Sequence, residues 1–170
     1  MTELYTAEQR QRRDASRWTL IQGILAPLQF LVFLISVALV IRYLWTGQGE
    51  AAATVSIVIK TMVLYAIMIT GSLWEKDVFG AYLFVPAFYW EDMVSMLVMA
   101  LHTAYLICLW QNLLGTEQLM YLAIAAYVTY AINAAQFLYK FKLARISQAE
   151  SERAQRTAAA DSMPQTAEAS

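Results

Sequence analysis

Four carboxylates and six aromatic rings share one short stretch of this chain, residues 75–92. Glu75 and Asp77 stand near its start, Glu91 and Asp92 at its end, and Phe79, Tyr82, Phe84, Phe88, Tyr89 and Trp90 lie between. The stretch joins two hydrophobic segments, where an ordinary connection would be polar. Flat apolar walls beside titratable acids suit a planar, hydrophobic substrate that undergoes proton transfer. A carboxylic acid kept protonated by an apolar surround can donate that proton near neutral pH. The structural counterpart of the same composition is an interfacial belt, because Trp and Tyr collect where bilayer meets water. The acid pairs at both ends favour a site, since ionisable groups next to hydrocarbon are expensive.

Further candidates lie inside the hydrophobic segments. Glu91, Ser95, Val98, His102 and Tyr105 alternate spacings of four and three, which is one helix face. His102 is the only histidine. At helical rise it lies roughly 16 Å deeper than Glu91, near the middle of a membrane. Its structural reading is a core histidine bonded to Asn133 or a backbone carbonyl. Its functional reading is an axial ligand to a metal-centred macrocycle, or a proton relay. Span four offers Tyr130, Asn133, Gln136 and Lys140, of which the first three fall close to one stripe and could satisfy His102 or a substrate carbonyl. Gln22, Gln29 and Ser36 share a face of the first segment and suit hydrogen bonding between helices. Lys60 is expected to snorkel outward, or to pair with Glu50 or Glu117.

Composition names the elements that must hold these residues. The chain has 170 residues, of which 59% are hydrophobic and 15% charged, and its mean hydropathy is +0.46. Soluble domains carry roughly 25% charged residues, so this is an integral membrane protein. Four hydrophobic spans are readable, near residues 20–45, 53–74, 93–110 and 119–139, each close to the roughly 20 residues that cross a bilayer as helix. Short connections make neighbours antiparallel. The expected fold is therefore an all-α, four-transmembrane-helix up-down bundle with the aromatic-rich loop between spans two and three. Residues 1–17 read as a cytoplasmic arm, 18–146 as the membrane domain and 147–170 as a disordered cytoplasmic tail. Residues 5–14 could form a short interfacial helix. Lys and Arg gather in the arm and after span four and are missing from the turn after span three. Both termini are therefore expected inside, and the aromatic loop with them. The arm is too polar for a signal peptide.

The totals also exclude. A net charge of −1 leaves no nucleic-acid footprint. One cysteine, Cys108, makes no intrachain disulfide, and no Cys/His cluster predicts a bound metal. There is no glycine-rich phosphate loop and no Ser-His-Asp arrangement. Chemistry must come from carboxylates, one histidine, lysines and tyrosines.

Several long strings resemble the 2-vinyl bacteriochlorophyllide hydratases of phototrophic bacteria. They are Arg12-Arg13-Asp14-Ala15-Ser16-Arg17-Trp18-Thr19-Leu20-Ile21-Gln22-Gly23-Ile24-Leu25-Ala26-Pro27, Trp74-Glu75-Lys76-Asp77-Val78-Phe79-Gly80 and Pro86-Ala87-Phe88-Tyr89-Trp90-Glu91-Asp92. Leu101-His102-Thr103-Ala104-Tyr105 and Asn133-Ala134-Ala135-Gln136-Phe137 continue the likeness, which covers roughly residues 5–144. The resemblance implies a hydro-lyase of bacteriochlorophyll synthesis. It would add water across the ring-A vinyl group of chlorophyllide a or a bacteriochlorophyllide to give a 1-hydroxyethyl group. No cofactor is implied beyond the Mg that the substrate itself carries. An inner-membrane location, the lipid bilayer and neighbouring pigment-biosynthesis enzymes as partners go with it.

Markovnikov hydration protonates the terminal vinyl carbon, and the macrocycle delocalises the cation. Water then adds, and a base takes its spare proton. On chemical grounds Glu91 is the expected acid, Glu75 or Asp77 the base, and Asp92 a helix cap. Phe79, Tyr82, Phe84, Phe88, Tyr89, Trp90, Tyr105, Asn133 and Gln136 are expected to line the substrate. His102 would hold the substrate's Mg, provided that the loop re-enters the membrane toward it. The competing readings are a pigment-handling scaffold or assembly factor, and a small transporter with Lys60 and His102 in its path. Four spans without a repeat leave little room for alternating access.

Overall fold

The computed structural model describes residues 4–161, with side chains through 157. Among them it contains five helices and no strand. α1 (Ala7–Ala15) opens on a capping box in which Thr6 and Gln9 bond each other's backbone N–H. Ser16 ends it and caps α2 (Arg17–Thr46) by accepting from the Trp18 N–H. α2 stops at Gly47, whose φ of 67° only glycine adopts freely. α3 (Glu50–Phe79) stops the same way at Gly80, φ 86°. α4 (Tyr89–Trp110) and α5 (Thr116–Asp161) follow.

α2, α3, α4 and α5 are long and apolar enough to cross a membrane. α3 has 30 residues and is about 45 Å long, longer than the ~30 Å hydrocarbon core. Its ends therefore reach the interfacial zone. Ile24, Leu31, Ile35, Ile59, Ile69, Leu97 and Ile132 point outward, as lipid-facing side chains should. α2 packs along α3, and α4 along α5. The two hairpins meet through lighter α2–α5 and α3–α4 contacts.

Polar pairs bridge the helices inside. Ser36 bonds both Ser56 and Tyr127, and the Gln22 amide donates to Thr70 Oγ1 and Ile67 O. Lys60 departs from expectation. It neither snorkels nor meets Glu50 or Glu117. It is wholly buried, and its Nζ lies 2.7 Å from His102 Nε2. Glu50 is ten residues away on α3, about 15 Å along the axis, and accepts instead from Thr116.

Two boundaries differ from the sequence reading. α3 continues past Trp74 to Phe79, because no glycine stands between Trp74 and Gly80 to supply a left-handed stop. The connection between spans thereby shrinks to residues 80–88. α5 runs on through Ser147, where the tail was expected to begin, to Asp161. Its Ala, Glu, Gln and Arg residues favour helix. The rest of that expected tail, residues 162–170, lies outside the described residues.

Candidate active site

The end of α3 and the start of α4 meet the middle of α5 under residues 80–88. Here aromatic rings pack edge and face. Phe79 stacks on Tyr5 with centroids 5.7 Å apart, and Phe88 sits 5.7 Å from Trp74, 5.8 Å from Phe79 and 5.9 Å from Phe137. Val78 and Val85 complete this cluster. Tyr5 is almost fully buried in it, beneath the Arg13 guanidinium. Burial pushes its hydroxyl up to about 12, against the opposing pull of Arg13, so the ring stays neutral. The candidate lining residues thus divide into two sets. Phe79 and Phe88 are cluster-forming rings, whereas Tyr82, Phe84, Tyr89 and Trp90 are exposed on the outer surface. Trp90 is 71% exposed, a large apolar side chain available to membrane or ligand.

Beneath the rings lie three buried carboxyls, Glu75, Glu91 and Asp92, at 5%, 7% and 2% exposure. They fall into two pairs. Glu91 Oε2 is 2.6 Å from Lys140 Nζ, an ion pair carried between α4 and α5. Lys140 also donates to the Ala87 carbonyl and lies over the Phe88 ring. The Glu75 and Asp92 carboxyls are the second pair, buried as neighbours across α3 and α4. Asp92 Oδ2 accepts the Phe84 N–H at 2.7 Å. Glu75 Oε2 has no N–H or O–H donor among the described residues. Phe84 itself has φ 59°, a left-handed conformation that a bulky side chain rarely adopts and that costs about 1–2 kcal/mol.

The remaining candidates scatter. Asp77 points away from Glu75, since two helical positions differ by about 200°. It is exposed and accepts a hydrogen bond from Ser16 at the α1–α2 junction. Asn133 does join the cluster: its Nδ2 donates to the Glu91 carbonyl at 2.9 Å, and its Oδ1 accepts from Ser95. Gln136 is half-buried, and its Oε1 is unpartnered. His102 and Tyr105 belong to the interior. His102 Nδ1 faces the Val98 carbonyl at 2.8 Å and Nε2 faces Lys60, so neither nitrogen is open to an axial metal. His102 is 1% exposed. The loop does not re-enter toward it: its contacts on α5 are with Phe137, Lys140, Phe141 and Ala144, at the helix's outer part. His102 meets Tyr127 instead.

A model of the family described as 2-vinyl bacteriochlorophyllide hydratase matches residues 5–143. The chain belongs to this family. The 2-vinyl bacteriochlorophyllide hydratase of Cereibacter sphaeroides is 64% identical over 143 residues, covering 84% of this chain and 89% of the relative. That of Rhodobacter capsulatus is 60% identical over 146 residues, covering 86% and 85%. No solved structure matches the chain. The family match begins at Tyr5, the ring that closes the aromatic cluster, and reaches past Lys140, so it contains every residue of the two carboxyl pairs.

Two of those residues escaped the sequence reading. Asp92 reads as a cap because it sits 100° from Glu91 on the helix. Lys140 reads as one more basic residue after a span. The available signal was Lys140 falling seven residues beyond Asn133, on the same α5 face.

Proposed function

We propose that this chain adds water across the vinyl group of a bacteriochlorophyllide, producing the 1-hydroxyethyl pigment of bacteriochlorophyll synthesis. Family membership supports the hydratase role. The observation that carries the site is the convergence of three buried carboxyls and one ammonium beneath an aromatic loop at one end of the bundle. A planar pigment needs an apolar surface, and Tyr82, Phe84, Tyr89 and Trp90 offer one beside the acids. Protonation of the vinyl group and deprotonation of water need a donor and an acceptor, and paired carboxyls supply both. The reaction is a carbon–oxygen addition with no change in electron count, so no redox cofactor enters; the Mg belongs to the substrate.

The protein resides in the inner membrane with both termini cytoplasmic, because Arg residues gather before α2 and Lys and Arg follow the apolar part of α5. Neighbouring enzymes of pigment synthesis would hand over and collect so apolar a substrate. The test is direct. Purified protein in lipid nanodiscs, given the 3-vinyl pigment, should yield a product heavier by one water, resolved by chromatography and mass spectrometry. A strain lacking the protein should accumulate vinyl pigment. Unchanged substrate in the first experiment and a normal pigment profile in the second would refute the reading.

A further inference from the structure

The two carboxyl pairs differ in what holds them, and the difference assigns their work. Two neighbouring buried carboxyls do not both ionise cheaply, because the like charges repel and neither is well hydrated. The surroundings agree. Both side chains are more than nine-tenths buried. The Phe84 N–H serves Asp92, whereas Glu75 Oε2 has no partner among the described residues. Glu91 is placed differently. Its Oε2 is ion-paired to Lys140 at 2.6 Å, so it faces a cation and not a second carboxyl.

We infer that Glu75 and Asp92 share one proton and deliver it to the terminal vinyl carbon, while Glu91, ion-paired to Lys140, takes a proton from the attacking water. This assignment rests on the hydratase reading and reverses the roles that residue type alone suggests for Glu91 and Glu75. The atoms balance. The vinyl π pair forms the new C–H bond with the shared proton, which leaves a cation on the carbon next to the macrocycle. A lone pair of water forms the C–O bond, and the water proton passes to Glu91. Return of that proton to the Glu75–Asp92 pair resets the site, so one water is consumed and no net proton.

The covering loop fits the same assignment. The Phe84 N–H lies on Asp92, and Phe84 is held in a left-handed conformation. Lifting Phe84 uncovers the pair and releases that backbone strain, so the donor is bared at reduced cost when a pigment takes the loop's place. Asp92 is on this account a proton donor as well as an anchor for the loop.

The anchoring and donating roles separate in Asp92→Asn and Glu75→Gln. Each amide keeps an oxygen acceptor and gains an N–H donor toward its partner, so the contacts persist while the transferable proton is lost. Pigment affinity, read from the absorbance shift on binding, should stay within about threefold of wild type, and turnover should fall about 10²–10⁴-fold. Infrared spectra of the wild type should show a protonated carboxyl C=O band that moves in D2O and is missing from Asp92→Asn. Turnover within about threefold of wild type in either amide variant would overturn the assignment. So would the lack of that band in the wild-type spectrum, a measurement that does not depend on any variant folding. In both cases wild-type hydration would stand, whereas wild-type protein that never hydrates the 3-vinyl pigment would overturn the functional reading itself.

Discussion

The Lys60–His102 contact joins α3 to α4 in the membrane interior, and its strength can be measured. His102 Nδ1 lies 2.8 Å from the Val98 carbonyl, which fixes the Nδ1–H tautomer and leaves Nε2 as acceptor. Lys60 Nζ donates to it at 2.7 Å, and the same Nζ lies 4.0 Å from the centre of the Tyr130 ring. Removing Lys60 strands a buried acceptor, at about 1–3 kcal/mol, and forfeits a cation–π contact of about 0.5–2 kcal/mol. Interhelical hydrogen bonds in membranes average only about 0.6 kcal/mol, with a ceiling near 1.7. The coupling in a Lys60→Met, His102→Leu double-mutant cycle should therefore be about 1–2 kcal/mol. Reversible unfolding in mixed detergent micelles, followed by fluorescence of the five tryptophans, gives the four stabilities needed. Coupling below about 0.3 kcal/mol, the ordinary error of additivity, would refute the contact. Mg and Mg-free pigments should lose affinity equally in His102→Leu, because both ring nitrogens are already engaged. A selective loss for the Mg pigment would restore the axial-ligand role.

Three other outcomes are expected. A reporter fused at Gly115 should lie outside the cytoplasm and one after Ser147 inside; a cytoplasmic signal from Gly115 would overturn the orientation. Gly80→Ala should destabilise by about 1–2 kcal/mol, since no atom lies within 4 Å of the added Cβ and φ is 86°, leaving backbone strain as the cost; an unchanged unfolding midpoint would contradict that conformation. Lys140→Met should lower turnover about as far as Glu91→Gln, and the double variant should fall no further, because the two act as one unit; additive losses in kcat would mean that Lys140 works independently of Glu91.

The spans were legible because a bilayer dictates helix length and apolar content almost alone. The aromatic cluster at residues 75–92 was legible as a place but not as an arrangement. Glu75 and Asp77 look like a pair in the sequence, yet α3 remains helical through both and turns them to opposite sides. Glu91 and Asp92 look divergent, yet both are buried. The first turn of α4 is covered on one side by α5, which brings Lys140, and on the other by α3 and the loop, which bring Glu75 and Phe84. Adjacent residues can then face two different partners. Such wrapping is a tertiary event that leaves no periodic trace. Lys60 departs from the sequence pattern for a related reason. Snorkelling is the default when a lysine has no internal acceptor, and only the approach of α4 supplies His102.

Depth explains why the interior histidine and the acid cluster serve different ends. His102 stands roughly 16 Å from Glu91 along α4, level with Tyr127, while the loop packs at the outer turns of α5. Hydration consumes water, and the hydrocarbon centre is where water is scarcest. A polar pair at that depth is useful as a fixed contact between helices, satisfied entirely by protein. A cluster at the helix ends sits where a lipid-dissolved pigment can rest its plane on Trp90 and Tyr89 and still present one edge to water. On the proposed reading, the acids are buried enough to keep a proton and close enough to the surface to receive the second reactant. Covering them with a strained loop residue, Phe84, reconciles those two demands.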